Sequence, residues 1–162
     1  MSVNKGAIMS ALAAVDDPEL PISIVQLGIV KEVDIDDQGQ VHVIVTPTFC
    51  GCPALAVIEQ RIREAVSSIA GVSSVCVSWL FEPDWDIDAI EEEGINALKA
   101  FGIAVPSPTR PLLCPYCDSP DTVRESAFGP TLCRSLYYCR SCHNPFEVMK
   151  PLGTCRRSAK HG

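Results

Sequence analysis

The stretch VHVIVTPTFCGCPALAVIEQRIREAV, residues 41–66, changes its hydrophobic period halfway and decides the fold. Val41, Val43 and Val45 alternate with other residues, which is the two-residue period of a half-buried strand. From Pro53 to Ala70 the apolar residues recur every three or four positions, which predicts a helix. The stripe of that helix comprises Leu55, Ile58, Ile62, Val66 and Ile69. A strand that leads directly into a helix predicts a fold that mixes both elements.

Outward from this stretch, the flanking segments supply the remaining elements. IVKEVDI, residues 29–35, predicts the other strand of a hairpin that turns at residues 36–39. Lys5–Val15 predicts a first helix, and SSVCVSWLF, residues 73–81, predicts a third strand.

The last predicted helix follows Asp88 and Glu91, which have the spacing of a capping box, and ends at Gly102. The element order is α-β-β-α-β-α. This order predicts a small α+β sandwich with the helices on one face of a three-stranded sheet.

The proline-rich segment VPSPTRPLL, residues 105–113, separates this unit from a cysteine-rich one. Three prolines within six residues and no periodicity predict a semi-rigid linker. We therefore expect a domain at residues 1–104, a linker at 105–112, a second module at 113–150 and a disordered tail at 151–162.

Charge separates the same two units. The chain carries sixteen acidic against five basic side chains up to residue 105, and four against eight after it, for a net charge of −7. An acidic major domain argues against nucleic acid as the main partner, because neutralising phosphates requires a basic surface.

The first apolar window, AIMSALAAV, is too short to span a membrane and has no signal-peptide flanks, so we expect a cytoplasmic protein. In a reducing compartment, nine cysteines indicate metal ligands or reactive thiols.

Two C-x-x-C pairs, Cys114 with Cys117 and Cys139 with Cys142, are the strongest motif in the chain. Each pair can wrap a turn around one ion, and two such turns at the ends of a hairpin give a tetrahedral four-thiolate set. This pattern predicts a zinc ribbon, with a rubredoxin-like iron site or a redox dithiol as alternatives. A closed four-sulfur shell leaves no open position for water, so the zinc is expected to be structural.

Several residues near this motif can be interpreted either as structural or as functional. Cys133 is either a substitute ligand or a small buried thiol, and Cys155 has no evident partner. His143, next to Cys142, is expected to lie on the turn without binding the metal. The basic residues of the module either bind nucleic acid or form a solvated surface, and the acidic first domain favours the surface. They are Arg134, Arg140, Lys150, Arg156 and Arg157.

Cys50 and Cys52 precede the long helix. The unpaired amides and the positive dipole end of a helix N-terminus lower the pKa of a thiol, and Thr48 and Gly51 can add donors there. The turn is thus equipped for a thiolate that binds iron or sulfur or attacks an electrophile. The alternative is a buried capping cysteine, with His42 on the neighbouring strand as mere packing.

With these residues identified, the motifs DDPELPISIVQLGIV, VTPTFCGCPAL and FEPDWDIDAI resemble the SufT-like family of iron–sulfur assembly factors. LLCPYCDS and FGPTLCRSLYYCRSCHNPFEVMK extend the likeness, so that Ala7 to Lys150 resembles the PaaD (PaaJ) family. Members of that family belong to the bacterial phenylacetyl-CoA epoxidase system. The resemblance maps the family's motif cysteine to Cys52 and its acidic loop to Asp17 and Glu19.

The resemblance implies an accessory role in aerobic phenylacetate catabolism. The chain would assist assembly or repair of the iron centres of the epoxidase, with the reductase or oxygenase component as its client, and would not itself catalyse epoxidation. It implies transient contact of iron or a cluster with Cys52, either alone or together with Cys50. The ribbon at Cys114, Cys117, Cys139 and Cys142 would hold zinc and serve as a docking surface.

Two departures from the family pattern stand out. Gln26 replaces the usual Asp before Leu-Gly, which puts a cation-holding carboxylate there in doubt. Cys50 replaces a Ser, and either adds a second sulfur or fills the place of a small residue. Three other functions stay open: a purely structural zinc-ribbon component of the epoxidase, a nucleic-acid-binding ribbon and catalysis by Cys52. The open sheet edge also permits a homodimer.

Overall fold

The first unit of the fold has the predicted element order. The computed structural model describes residues 3–48, 54–80, 86–130 and 134–150. The helices are α1 (Lys5–Ala13), α2 (Ala54–Ser67) and α3 (Glu92–Ala100). The strands are β1 (Val30–Ile35), β2 (Gln40–Val45) and β3 (Ser74–Trp79). The α+β fold class is confirmed.

The first sheet has the order β1-β2-β3. β1 and β2 pair antiparallel as the hairpin predicted, whereas β2 and β3 pair parallel because α2 connects them. Val41, Val43 and Val45 face the helices and are at most 1% exposed. α2 buries Ile58 and Ile62 against them, so the two hydrophobic periods in residues 41–66 form one core.

The start of α3 differs from the prediction. Glu91 is the N-cap residue of α3, but its side chain makes no capping hydrogen bond, so the capping box of Asp88 and Glu91 is wrong. Instead, Asp86 caps a short 3₁₀ turn, Ile87–Ala89, by accepting a hydrogen bond from the Asp88 N–H. The 3₁₀ turn intervenes because Ile87 is drawn into the core, where it is 2% exposed.

The second sheet belongs to the cysteine-rich unit. It comprises β4 (Ile103–Ala104), β5 (Thr122–Ser126), β6 (Arg134–Cys139) and β7 (Pro145–Met149), in the order β4-β7-β6-β5. The hairpin of β5 and β6 was predicted. β4 and β7, which pair in parallel, were not.

The two units share a hydrophobic core. Ile103, Val105 and Met149 lie in the same buried cluster as the helices and strands of the first unit. The proline-rich connector contacts the first unit, because the Arg110 side chain donates to the Val105 carbonyl at 2.7 Å and its guanidinium lies 4.0 Å from the Asp88 carboxylate. The ribbon is therefore packed against the first unit.

None of the helices in the described ranges is long and apolar enough to cross a membrane. The longest, α2, has 14 residues.

Candidate metal centre and acidic turn

The structure brings together the sulfur atoms of Cys114, Cys117, Cys139 and Cys142. All four lie within 4.8 Å of one another. The Cys114–Cys142 and Cys117–Cys139 sulfur pairs are each 3.6 Å apart. A disulfide requires about 2.0 Å between sulfurs, so these are separate thiols arranged around a common centre.

Two matching turns position these thiols. The Asp118 N–H donates to the Cys114 carbonyl, and the His143 N–H donates to the Cys139 carbonyl, both at 2.9 Å. Asp118 and His143 each have φ of 62°, a left-handed conformation that closes the turn.

Within each turn, backbone amides point at the sulfurs. The Tyr116 N–H donates to Cys114 Sγ at 3.4 Å, and the Cys142 N–H donates to Cys139 Sγ at 3.5 Å. The Asn144 side chain adds a donor to Cys142 Sγ at 3.4 Å. Such donors stabilise thiolates, the form in which cysteine binds a metal.

The pKa values of the Cys114 and Cys142 thiols are shifted in opposite directions. Burial raises the pKa of the Cys114 thiol, and the amides of Tyr116 and Cys117 offset this only in part. Burial also acts to raise the pKa of the Cys142 thiol, but the N–H groups of Asn144 and the neighbouring Cys114 and Cys139 side chains together outweigh it and lower that pKa to about 7. Four thiolates this close repel one another unless a cation lies between them.

The donor set fits a structural zinc ion. Four cysteine sulfurs in a closed tetrahedral arrangement are the ligands of structural zinc sites. Cys114 and Cys139 are fully buried, which shields the centre on one side. His143 does not join the cluster: its Nδ1 lies 2.9 Å from the Tyr138 hydroxyl.

The predicted acidic residues form a compact turn. We call Asp17–Leu20 the acidic turn. Asp17 Oδ1 accepts hydrogen bonds from the N–H groups of Glu19 and Leu20, at 2.7 and 3.1 Å. Burial raises the pKa of the Asp17 carboxyl, whereas these N–H donors and the charge of Arg134 act in the opposite direction. The turn is anchored because Leu20 is 5% exposed within the core.

Gln26, the departure from the family pattern, has a structural role in this loop. Its side-chain Oε1 accepts from the Ser23 N–H, and the Ser23 hydroxyl accepts from the Gln26 N–H, both at 3.1 Å. The Gln26 carbonyl also accepts from the Glu91 N–H at 2.8 Å. Gln26 thereby joins the loop after the acidic turn to the start of α3.

Of the proposed thiol turn, the structure describes Thr48 but not the two cysteines. Cys50, Cys52 and their neighbours Gly51 and Pro53 lie outside the described residues, as do Cys133 and Cys155. Thr48, at the end of the described segment, is half-buried. His42 hydrogen-bonds through Nε2 to the Ser78 hydroxyl at 2.7 Å.

Sequence reasoning missed two residues close to these features. Thr46, 1% exposed, has no hydrogen-bond partner for its hydroxyl among the residues that the structure describes.

Arg134 was predicted to lie on a basic surface, but it is 8% exposed and forms an ion pair with Glu147. Arg140 is also paired, 3.7 Å from Asp121. These pairings leave less free positive charge on the ribbon than the sequence indicated.

Comparison with protein families divides the chain as the fold does. The family described as iron–sulfur cluster assembly protein matches residues 5–79, and the PaaD zinc beta ribbon domain matches residues 103–150. The fold and the four-cysteine centre thus define a class of protein in which an assembly-type domain carries a C-terminal metal ribbon.

A relative of similar length agrees with this class. The chain is 35% identical to a protein of Escherichia coli (strain K12) that is provisionally named as a subunit of 1,2-phenylacetyl-CoA epoxidase. The match covers 88% of this chain and 90% of that one. The chain belongs to the PaaD family, and the resemblance stated from the motifs is confirmed.

The first unit has further relatives. A protein of Porphyromonas gingivalis named Fe-S protein maturation auxiliary factor is 38% identical, over 56% of this chain and 87% of that one. A solved structure, a conserved hypothetical protein of Thermotoga maritima, matches with a TM-score of 0.53 and 37% identity. The match covers 57% of this chain and 90% of that one.

Proposed function

We propose that this chain is an accessory component of a phenylacetyl-CoA epoxidase that assists assembly of iron–sulfur or other iron centres in its client subunits. One observation carries the proposal: an assembly-type domain and a PaaD-type ribbon occur in one chain and share a hydrophobic core. The names of the relatives support each half, since one is named as an epoxidase subunit and another as a maturation factor.

In this proposal the ribbon holds a structural zinc. Cys114, Cys117, Cys139 and Cys142 supply the four sulfurs, and the zinc neutralises their charge and fixes both turns. The ribbon then serves as a rigid surface for the reductase or oxygenase component of the epoxidase.

Iron or a cluster is the cargo in this proposal. Cys52, with Cys50 as a second sulfur, makes the transient contact, because a thiol before a helix is favoured as a thiolate. Asp17 and Glu19 supply carboxylates from the acidic turn, and Thr48 lies on the segment that leads to the cysteines. This assignment of residues follows the family motifs.

The test compares client proteins matured with different versions of this chain. The epoxidase reductase and oxygenase are co-produced with wild type, Cys52→Ala or Cys76→Ser, and their iron and sulfide contents are measured after anaerobic purification. Cys76 is an exposed free cysteine on β3 and controls for the loss of a thiol. We expect fewer iron atoms in the client only with Cys52→Ala.

The outcomes separate the candidate functions. Normal client iron both with Cys52→Ala and without the chain, together with loss of epoxidase activity when the chain is omitted, would identify a purely structural zinc-ribbon component. Normal iron and normal activity without the chain would refute the accessory role altogether.

A further inference from the structure

Arg134 lies between the metal ribbon and the acidic turn. It is the first residue of β6, the strand that ends at the metal ligand Cys139. Its side chain is only 10% exposed, and it contacts both units of the fold. A buried guanidinium is costly unless its donors are satisfied, so these contacts fix its position.

On the ribbon side, Arg134 joins two neighbouring strands. Nη1 forms an ion pair with Glu147 of β7. Arg134 is also the register partner of Met149, which is 1% exposed in the shared core. The β6–β7 hairpin is thus held at one end by Arg134 and at the other by the turn that carries Cys139 and Cys142.

On the other side, Arg134 reaches the acidic turn of the first unit. Nη2 donates to the Glu19 carbonyl at 3.3 Å, across 115 residues of sequence. The same positive charge acts on the Asp17 carboxylate. A planar guanidinium can serve an anion and a carbonyl in two directions at once, which a lysine ammonium does less well.

We propose that Arg134 is a positioning residue that couples metal occupancy of the four-cysteine centre to the conformation of the acidic turn. The physical reason is that a ribbon of this size has too small a core to hold its shape without the ion. When the metal leaves, the β6–β7 hairpin loosens, and Arg134 loses the support that holds it on Glu19. Coupling between two sites is reciprocal, so a weakened contact at the turn must also weaken metal retention.

The experiment uses the full-length, zinc-loaded chain as wild type, Arg134→Met and Arg124→Met. Methionine keeps an unbranched apolar side chain without the donors. Arg124 is the matched control, because it is exposed on β5 of the same sheet. Two quantities are measured: hydrogen exchange of the Glu19 and Leu20 amides, and the release of zinc at equilibrium to a competing chelator.

Arg134→Met should accelerate exchange of both turn amides by about tenfold and weaken the affinity for zinc by a similar factor, within the usual range of coupling between sites. Arg124→Met should change neither quantity. In wild type, removal of zinc should accelerate exchange at Glu19 and Leu20 more than at Val43 in the centre of β2.

Two results would overturn the proposal: turn amides that exchange equally in Arg134→Met and Arg124→Met, or zinc release that is equal in both. If Arg134→Met does not fold, Arg134→Lys replaces it, because lysine retains a charge opposite Glu147 while weakening the contact with the Glu19 carbonyl. Zinc release and turn exchange that match wild type in Arg134→Lys and in Arg124→Met would likewise refute the coupling.

Discussion

Ile103 pairs in parallel with Glu147, so the ribbon takes its edge strand from the chain that leaves α3. The next residue, Ala104, pairs with Val148, and Ile103 itself is buried in the core of the first unit. This pairing crosses the segment that joins the two units. A substitution that unfolds the ribbon should therefore also lower the stability of the first unit.

Cys114→Ser should abolish zinc binding and lower the thermal stability of the whole chain. Structural zinc contributes about 10 kcal/mol or more of binding free energy in small zinc modules, so its loss should unfold the ribbon. Because Met149 belongs to the shared core, the first unit should also melt at a lower temperature. Zinc per chain and thermal unfolding measure the effect.

Cys76→Ser provides the control for this prediction. Cys76 is exposed on β3 and lies outside the cluster, so this variant should keep one zinc and its melting temperature. Full zinc content in Cys114→Ser would show that Cys114 is not a ligand.

Asp17→Asn should make the chain more stable at pH 7. Burial raises the pKa of Asp17 above its usual value of 3.8, so ionisation of this carboxyl in the folded state costs stability. Its favourable contribution is complete below pH 3.8 and is lost as the pH rises through the folded pKa. Asparagine keeps the oxygen that accepts from Glu19 and Leu20 and carries no charge.

The stability gained by Asp17→Asn should therefore shrink as the pH is lowered towards 3.8. Urea unfolding at several pH values measures it, with Asp34→Asn, on the exposed face of β1, as the control. A gain that is constant with pH would mean that ionisation of Asp17 is not its source.

Asp118→Val should destabilise the ribbon, whereas Asp118→Gly should be tolerated. Asp118 has φ of 62°, and a left-handed conformation costs most side chains roughly 1–2 kcal/mol, more for a β-branched one. Both variants lose the exposed ion pair with Lys99, so they differ mainly in backbone strain.

The zinc release rate distinguishes these two variants. It should rise in Asp118→Val and stay near wild type in Asp118→Gly, because only valine strains the turn that places Cys117. An equal increase in both variants would indicate that the ion pair with Lys99, and not the left-handed backbone, holds this turn.

Local patterns predicted most of the elements. The strand and helix periods of residues 41–66 predicted β2 and α2, and the two C-x-x-C pairs predicted which sulfurs would meet. These predictions succeeded because each signal lies within a few residues of the structure it forms. The two-residue β4 has no such signal, since so short a strand has no period, and only its pairing with β7 defines it.

The capping box at Asp88 and Glu91 failed for a related reason. Its spacing is a local signal, but burial of Ile87 places a 3₁₀ turn there and moves the start of α3 to Glu92. Arg134 likewise resembled a surface cation, because nothing adjacent in sequence revealed Glu147 or the Glu19 carbonyl.

The sequence by itself determined the element order, the four-cysteine set and the family. Periodicity and ligand spacing are encoded over short distances, and family motifs are read residue by residue. Only the tertiary structure decided that the ribbon shares the core of the first unit and that Arg134 reaches the acidic turn. Those contacts join residues as many as 115 positions apart. They exist because burial of apolar surface brings the two units together. The Arg134 side chain is buried at the junction as a result, and it is stable there only because its donors are satisfied by groups of both units.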